Sequence, residues 1–385
     1  MSSYVFIANS SKPSEEKNNS REPVIPGNVS IPCIEAALNM GYKVYLGTNR
    51  NNPENLECPY PVNLFNSHTY RSITNFSDNR IAYNNLKKVV KENNVEVIHC
   101  NTPVGGVVGR LVGKKCGVKK VIYTAHGFHF YKGAPLINRT VFKWAEKIMA
   151  RWTDAIITMN QEDFEAAKKF RLRNSGKVYY VPGVGIDTEM YKNIKVDRAA
   201  LRSSFGIKET DTVCISMGDL VPRKNYTVAI DAISKCTDKS IHYLLAGVGP
   251  ELENLKKLAE EKGVSERIHF LGFRPDIKEL LQISDIFLFT TLQEGLPRSM
   301  MEAMASGLPC IVSKIRGNVD LIEDGEGGYL VSPNDVNMFA KRLDELSENK
   351  SLCESMSKKN LERIKDFDIK KVKDEMKKIY EEVLN

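Results

Sequence analysis

Glu294-Gly-Leu-Pro-Arg-Ser-Met-Met-Glu302 follows the apolar run Ile286-Phe-Leu-Phe-Thr-Thr291 and opens onto a small-residue segment, Glu302-Ala-Met-Ala-Ser-Gly307. Apolar run, Gly-Leu-Pro turn and small-residue segment read as strand, turn and helix. Pro297 suits the first helical position, where a missing N–H costs nothing and φ is already set. The free amides of such a helix start suit a phosphate. Glu294 falls in the loop and Glu302 about a turn into the helix, so both carboxylates can hold hydroxyls of one elongated ligand. Sugar, diphosphate, ribose and base joined in line have that form.

Outward from this stretch, strand-like apolar runs alternate with helix-like segments, which points to parallel sheets covered by helices. The strand candidates are residues 4–8, 43–46, 95–100, 121–125, 155–158 and 178–181, then 213–217, 242–246, 268–271, 286–290, 310–313 and 329–331. Helices between them include residues 226–236, 251–262 and 277–282. A chain of 385 residues exceeds the ~250 at which single cores stop growing, so two domains are expected. The reading is α/β: two Rossmann-like domains facing a cleft, with the pattern interrupted at Val181-Pro-Gly-Val-Gly-Ile-Asp187. Residues 10–28 are polar, carry Pro13, Pro23, Pro26 and Gly27, and read as a long loop after the first strand. Loops at the carboxyl ends of parallel strands face the ligand crevice.

Composition narrows the function classes. Hydrophobic content of 42% with 27% charge is ordinary for a globular chain. No apolar run approaches the ~18 residues of a membrane span and no signal segment opens the chain, so a cytosolic location is expected. The eight cysteines form no Cys-x-x-Cys pair and read as buried thiols in a reducing compartment. Net charge is +7, and residues 132–177 hold ten Lys/Arg against five Asp/Glu. Such a patch suits an anionic surface. Zinc-finger spacing, an RNP-like aromatic run and a basic-zipper heptad are all missing, which argues against nucleic acid.

Several strand exits carry candidate chemistry. Gly218-Asp-Leu-Val-Pro-Arg-Lys-Asn225 places Arg223 and Lys224 where a strand-to-helix loop meets phosphates. Paired cations there can neutralise a diphosphate leaving group without metal. Gly247 and Gly249 permit close approach to a nucleotide, and Phe273 borders a base or packs in a turn. Tyr123-Thr-Ala-His-Gly-Phe-His-Phe-Tyr131 ends a strand with two histidines. His126, followed by Gly127, is the functional candidate, whereas His129 suits function and packing equally. No Asp-x-Asp pair accompanies these sites, and Asp320 and Glu323-Asp-Gly325 read as loop residues, so no metal is expected. Arg139, Lys143, Lys147 and Arg151 recur every four residues on a helix with Ile137, Val141, Phe142, Trp144, Ile148 and Trp152. This pattern fits either a membrane interface or a helix whose apolar side joins the core.

With these residues in place, the chain resembles glycosyltransferase family 4, the retaining, sugar-nucleotide-dependent enzymes of the GT-B fold. Within it, the chain is similar to bacterial enzymes of capsular and exopolysaccharide synthesis. The resemblance rests on Gly218-Asp-Leu-x-x-Arg-Lys-Asn225, Ala246-Gly-x-Gly-Pro250, Leu271-Gly-Phe273, Glu294-Gly-Leu-Pro-Arg298, Glu302-Ala-Met-Ala305 and Arg316-Gly-Asn-x-x-Leu-Ile322. Thr124-Ala-His-Gly127 and Pro182-Gly-Val-Gly-Ile-Asp187 match more loosely. It implies an acceptor-side domain over residues 1–190, a nucleotide-sugar domain over 191–367, and a final helix, 368–385, returning to the first domain.

The resemblance further implies that Glu294 contacts the donor sugar, Glu302 the ribose, and Lys224 the diphosphate, with amides around Leu296, Pro297, Arg298 and Ser299 assisting. It assigns Gly218, Gly247, Gly249, Phe273 and Gly295 to the donor side and lets His126 reach the sugar. Gly27, Arg139, Lys143, Lys147 and Arg151 fall on the acceptor and membrane side. Many members carry Gly-Arg at Gly218-Asp219, so Arg223 is the expected substitute cation. The family's Gly-Gly turn is replaced by the 10–28 loop. The implied activity is transfer of a sugar, UDP-linked, to a hydroxyl of a lipid-linked glycan at the inner face of the cytoplasmic membrane. A nucleotide-sugar epimerase on the same fold and a non-catalytic membrane-associated assembly protein are the alternatives.

Overall fold

The computed structural model describes every residue except Met1, Ser11, Ile73, Thr102 and Asn193. Ser11 belongs to the 10–28 loop and lies outside the described residues. The chain divides into two compact units, Met1–Gly185 with Lys370–Asn385, and Ile186–Ile369.

In the first unit the described strands are β1 (Ser3–Ile7), β2 (Lys43–Thr48), β3 (Asn63–Asn66), β4 (Val95–Asn101), β5 (Lys120–Ala125), β6 (Ala155–Thr158) and β7 (Lys177–Tyr180). They form one parallel sheet in the order β3-β2-β1-β4-β5-β6-β7. Successive side chains of a strand point to opposite faces, and β1 shows what that does here. Val5 and Ile7 enter one core with Leu86, Val90, Val104, Val108 and Val112, which come from the helices Phe76–Glu92 and Pro103–Cys116. Tyr4 and Phe6 enter the other, with Ile34 of the helix Ile31–Asn39 and Val372, Met376, Ile379 and Val383 of the helix Ile369–Leu384. With both faces covered, the strands read as continuous apolar runs. The helix Pro103–Cys116 lies close on the sheet because its inner positions are glycine; a Cβ on Gly109 would sit 2.5 Å from Cys100 Cβ.

The C-terminal helix is fastened by a buried polar chain. Tyr380 Oη lies 2.6 Å from Tyr4 Oη and 2.6 Å from His99 Nδ1, and His99 Nε2 lies 2.7 Å from Thr124 Oγ1. Burial, and next the neighbouring His126, lowers the His99 pKa from 6.5 to about 3. The ring is therefore neutral near pH 7 and offers one donor and one acceptor.

The second unit repeats the plan. Its described strands are β8 (Thr212–Met217), β9 (Ile241–Ala246), β10 (Ile268–Gly272), β11 (Ile286–Phe289), β12 (Cys310–Ser313) and β13 (Gly328–Val331). They form a parallel sheet in the order β10-β9-β8-β11-β12-β13. Phe287 and Phe289 pack with Met300, Met301 and Met304 of the helix Arg298–Ala305, while Leu288 packs with Ile230 and Ile233 of the helix Tyr226–Lys235. The order reverses between β8 and β11, so the loops leaving these two strands lie at a topological switch point, where ligands of open α/β sheets bind. Those loops carry Lys224 and Glu294.

Three differences from the sequence reading have local causes. The 10–28 stretch was expected as loop, but Ser14, whose side chain accepts from Lys17 N, starts a short helix there, Glu15–Asn19. β3 was not expected; it is an edge strand of four residues with only two apolar side chains, Leu64 and Phe65. Pro297 was expected at the first helical position, but at φ −76° and ψ 117° it precedes the helix, which starts at Arg298. A fixed φ suits either place, and ψ decides between them.

Candidate active site

The site is assembled by stitching the β8 exit to the β11 exit. After β8 the chain makes a short 3-10 turn, Pro222–Lys224, which Asn225 ends in the left-handed region at φ 55°. Leu292 N donates to Arg223 O at 2.8 Å, Thr290 Oγ1 to Asn225 O at 2.9 Å, and Asn225 Nδ2 to Thr290 O at 3.2 Å. These bonds fix where the side chains meet. Lys224 Nζ donates to Glu294 Oε1 at 2.8 Å, Thr291 Oγ1 donates to the same oxygen at 2.9 Å, and Arg223 Nη1 lies 3.4 Å from it. All three contacts converge on Oε1; among the described residues Oε2 takes no hydrogen bond.

Lys224 is buried and Glu294 nearly so, whereas Arg223 is exposed. Lys224 also stands 4.6 Å above the Phe289 ring centroid, an arrangement that holds a cation by the ring's quadrupole. The Glu294 carbonyl accepts from Arg316 Nε at 3.0 Å. Next to it Gly317, at φ 85°, allows a close approach: a Cβ there would meet Gly295 O at 2.4 Å. Gly218 forms the floor, its Cβ position 3.3 Å from both Lys224 Cε and Tyr226 Oη. That Tyr226 hydroxyl is buried and has no partner. Burial, then the Glu294 and Asp219 carboxylates, push its pKa up, so it remains a neutral donor.

Glu302 sits on the helix Arg298–Ala305, where Arg298 Nε donates to Oε1 at 2.9 Å. Arg298 is exposed, so this i,i+4 pair is weak and free to exchange for a ligand. Burial, and then the Glu302 carboxylate, raise the pKa of Tyr191. No side chain caps the start of this helix, which leaves the first amides, those of Arg298 and Ser299, outside the intrahelical ladder. Gly295 and Leu296 lie between these amides and Glu294, half-buried.

Gly247 and Gly249 are used by the chain itself. A Cβ on Gly247 would lie 1.9 Å from Gly218 O, and one on Gly249 2.3 Å from Leu220 O. Gly218 N donates to Ala246 O and Leu220 N to Val248 O, so the β8 and β9 exits are zipped together. Phe273, at the β10 exit, is 78% exposed. Among the described residues no group of three His, Cys, Asp or Glu side chains is arranged to hold a metal ion.

In the first unit His126 follows β5, and its Nε2 is buried without a partner. Burial lowers its pKa to about 4, so it too is neutral near pH 7. His129 is exposed and stacks on Phe142 with centroids 5.5 Å apart. Gly27 meets nothing within 4 Å of its Cβ position; its carbonyl accepts from Ser30 N and Ile31 N at the next helix start. Arg139, Lys143, Lys147 and Arg151 are all exposed, the first on a π-turn, Asn138–Phe142, the next two on the helix Lys143–Ala150 and Arg151 just past its end. Leu136, Ile137, Val141 and Trp144 are exposed with them, at 73%, 61%, 55% and 66%. Trp152 instead lies under Lys114, 4.0 Å from ring to ammonium. No described helix is long and apolar enough to cross a membrane.

Sequence reasoning brought Lys224, Arg223 and Glu294 together and missed Thr291, Phe289, Arg316 and Tyr226. Thr291, three residues before Glu294, carried a signal in its spacing. Arg316 lay inside a motif already singled out. Phe289 and Tyr226 carried none, since each looks like core until the loops are placed.

Comparison with known proteins places the chain in a family. Residues 197–363 match the family described as Glycosyl transferases group 1, and residues 28–160 match Glycosyl transferase 4-like. A Bacillus subtilis (strain 168) protein described as a glycosyltransferase, EpsD, is 32% identical over 355 residues, 91% of this chain and 92% of its own length. An Escherichia coli UDP-Gal:alpha-D-GlcNAc-diphosphoundecaprenol alpha-1,3-galactosyltransferase is 30% identical over 302 residues, 77% of each chain. Among solved structures, Anabaena Alr3699/HepE in complex with UDP and glucose superposes with a TM-score of 0.76 at 18% identity, covering 99% of this chain and 100% of its own. Sucrose-phosphate synthase from Thermosynechococcus elongatus reaches 0.80 at 18%, covering 99% of each. These likenesses show the fold to be GT-B, and the relatives show the family: the chain belongs to the group 1, family 4 glycosyltransferases.

Proposed function

We propose that the protein moves a sugar, with retention of configuration, from a UDP-linked donor to a hydroxyl of a lipid-linked glycan in exopolysaccharide or capsule synthesis. The observation that carries this reading is the convergence of Lys224, Thr291 and Arg223 on one oxygen of Glu294, beside an uncapped helix start. Glu294 is thereby aimed, with Oε2 left for sugar hydroxyls. Lys224, Arg223 and the amides of Arg298 and Ser299 balance the two charges of the diphosphate, and Glu302 exchanges Arg298 for the ribose. The incoming hydroxyl attacks on the face the nucleotide leaves. As the sugar–phosphate bond breaks and the new glycosidic bond forms, the departing phosphate oxygen takes the hydroxyl proton. In the first unit neutral His126, with Nε2 unpaired, is a hydrogen-bonding group left available to a ligand. Fixed side-chain cations doing the work of charge balance support a metal-independent reaction. The donor and acceptor classes are supported by the E. coli relative, whose name specifies UDP-Gal and a diphosphoundecaprenol acceptor, and by the Anabaena protein that binds UDP.

A thermal-shift series against UDP, GDP, ADP and CMP, each with and without EDTA, tests the donor class. A ligand of the native state raises the melting point by ~RT ln(1 + [L]/Kd), about 2.7 kcal/mol at a hundredfold excess over Kd. The expected result is a clear shift with UDP that EDTA leaves unchanged. A shift restored only by manganese would remove the metal-free part of the proposal.

The exposed Leu136, Ile137, Val141 and Trp144 beside Arg139, Lys143 and Lys147 support peripheral attachment to an anionic membrane surface. Isolated exposed apolar residues need no explanation, but four together rimmed by cations do. Each lysine near such a surface contributes ~1 kcal/mol, so Lys143→Glu with Lys147→Glu is expected to weaken vesicle binding by more than about tenfold, less so in high salt. Co-sedimentation with phosphatidylglycerol vesicles reads this directly, and unchanged binding would leave the helix as solvated surface.

A further inference from the structure

The connection after β1, which includes the short helix Glu15–Asn19, lines an open cavity of about 800 Å³. Its walls come from the carboxyl-end loops of the three adjacent strands β1, β2 and β3, the side on which parallel sheets bind ligands. Ser10, Lys12 and Glu22 lie in the first of these connections with Lys17 on its short helix, Asn49 and Arg50 in the second, and Arg71 in the third. The lining therefore holds four cations and one carboxylate. Among the described residues none of the four cations is ion-paired with a carboxylate, although the chain elsewhere pairs exposed lysines freely. Pro13, Pro23, Val24 and Ile25 form an apolar wall beside them, with Ile25 71% exposed.

Arg50 is the centre of this pocket. It is only 8% exposed. One terminal nitrogen donates to Ser20 O at 2.5 Å and Ser20 Oγ at 2.7 Å, which pins the loop, but Nε is buried with no partner at all. A buried cation lacking both a counter-charge and one acceptor is rare unless a ligand completes it. The pocket is also built before any ligand arrives. Asn49 Nδ2 donates to Ser10 Oγ at 2.9 Å and to Thr69 O at 2.6 Å, and Asn51 N donates to Asn18 Oδ1 at 3.1 Å. Ser10, Asn18 and Ser20 are thus each tied to the β2 exit.

We propose that this pocket binds a phosphate-ester anion, a mono- or diphosphate, with Arg50, Lys17, Arg71 and Lys12 around the phosphoryl oxygens and Val24 and Ile25 against an attached apolar chain. Arg50 supplies the fixed guanidinium geometry that phosphate takes, and the lysines supply charge. If the anion comes from the transfer acceptor, which rests on the function proposed above, it is the phosphate joining glycan to lipid. If it is a free anion, the site is regulatory.

The test is isothermal titration of the full-length protein with inorganic pyrophosphate, in wild type, Lys224→Ala and Lys17→Glu/Arg71→Glu. Lys224→Ala removes the other candidate phosphate site and is expected to keep one binding event of unchanged affinity. Both positions of the double variant are exposed, and it is expected to bind at least about tenfold more weakly, since two charges near a dianion are reversed. Equal affinity in wild type and the double variant, or loss of all binding in Lys224→Ala, would overturn the proposal. Arg50→Gln is expected to weaken binding as well; because Arg50 also holds Ser20, the double variant decides if Arg50→Gln does not fold. None of these readings requires transfer activity, so an inactive protein that still binds pyrophosphate here would sink the transferase reading and leave the pocket standing. The source is assigned by kinetics. A KM increase for a lipid-diphosphate acceptor, with none for an alkyl glycoside lacking phosphate, assigns the anion to the acceptor; no change in either KM assigns it to a free phosphate.

Discussion

Lys224→Ala is expected to lower kcat at least ~100-fold, the scale of removing one charged contact to a transition state in a water-poor site, while far-ultraviolet circular dichroism stays that of the wild type. The ammonium touches Glu294, four residues before the uncapped helix start, so on the proposed function its loss affects two things together. It removes a charge from the departing diphosphate, and it leaves Glu294 Oε1 held by Thr291 and the more distant Arg223 alone. Glu294→Gln is expected to fall as far by the complementary route: the amide keeps the shape but not the charge that aims Lys224. Because the two side chains act through one contact, the double variant should lose little more than the worse single variant, as groups that work as a unit do. Strictly additive losses, or full activity in either single variant, would refute the assigned roles. Arg223 is exposed and 3.4 Å from the carboxylate, so Arg223→Ala should cost less than Lys224→Ala.

Much of this site was legible because its parts obey local rules. Ile286–Phe289 is buried on both faces of its sheet and so reads as an unbroken apolar run. The helix Ile369–Leu384, expected from the resemblance, buries Val372, Met376, Ile379, Tyr380 and Val383 at helical spacing. Gly-Leu-Pro between a strand and small residues marks a turn whatever the tertiary setting. The rest depended on how separate loops register. Gly247 and Gly249 suggested approach to a nucleotide, yet the bodies they admit are the carbonyls of Gly218 and Leu220; a glycine announces a close approach without naming its partner. Arg298 and Glu302 were read as separate ligand contacts, although their spacing of four already predicted the pair now seen. The apolar side chains around Trp144 were as compatible with core as with surface, because amphipathicity states which residues share a face and not what covers it. The pocket around Arg50 was the least legible. It is assembled from three strand exits over some sixty residues, and only the unpaired Nε reveals it.

Acid is expected to destabilise the first unit steeply between about pH 6.5 and pH 4. His99 and His126 are held neutral by burial, with pKa values lowered from 6.5 to about 3 and about 4. In the unfolded chain both take a proton near pH 6.5. Below that value the unfolded state therefore binds more protons than the native state, and stability falls as pH falls. Their contribution is fully present above pH 6.5 and is lost progressively toward the two folded values. At ~1.4 kcal/mol per pH unit for each group, the loss down to pH 4 is about 3 kcal/mol per histidine, a large share of the ~5–15 kcal/mol by which domains are stable. His99 lies between Tyr380 and Thr124, so its protonation also replaces an acceptor by a donor and loosens the C-terminal helix. Urea melts at half-unit pH steps measure the slope. In His99→Gln the absolute stability drops, but the slope is expected to flatten by one proton. An unchanged slope in that variant, or stability that rises toward pH 4, would contradict the burial-held neutrality of His99.

On the proposed function this chain transfers a sugar from a UDP-linked donor to an acceptor hydroxyl with retained configuration. This is tested most directly by incubating the protein in EDTA with UDP-sugars and a diphospholipid-linked saccharide, following UDP release and reading the new anomeric signal by NMR. The expected result is UDP release that requires both substrates, and a glycosidic linkage of the same anomeric configuration as the donor. Inverted configuration, or turnover of the nucleotide sugar to an epimer with no acceptor consumed, would contradict it.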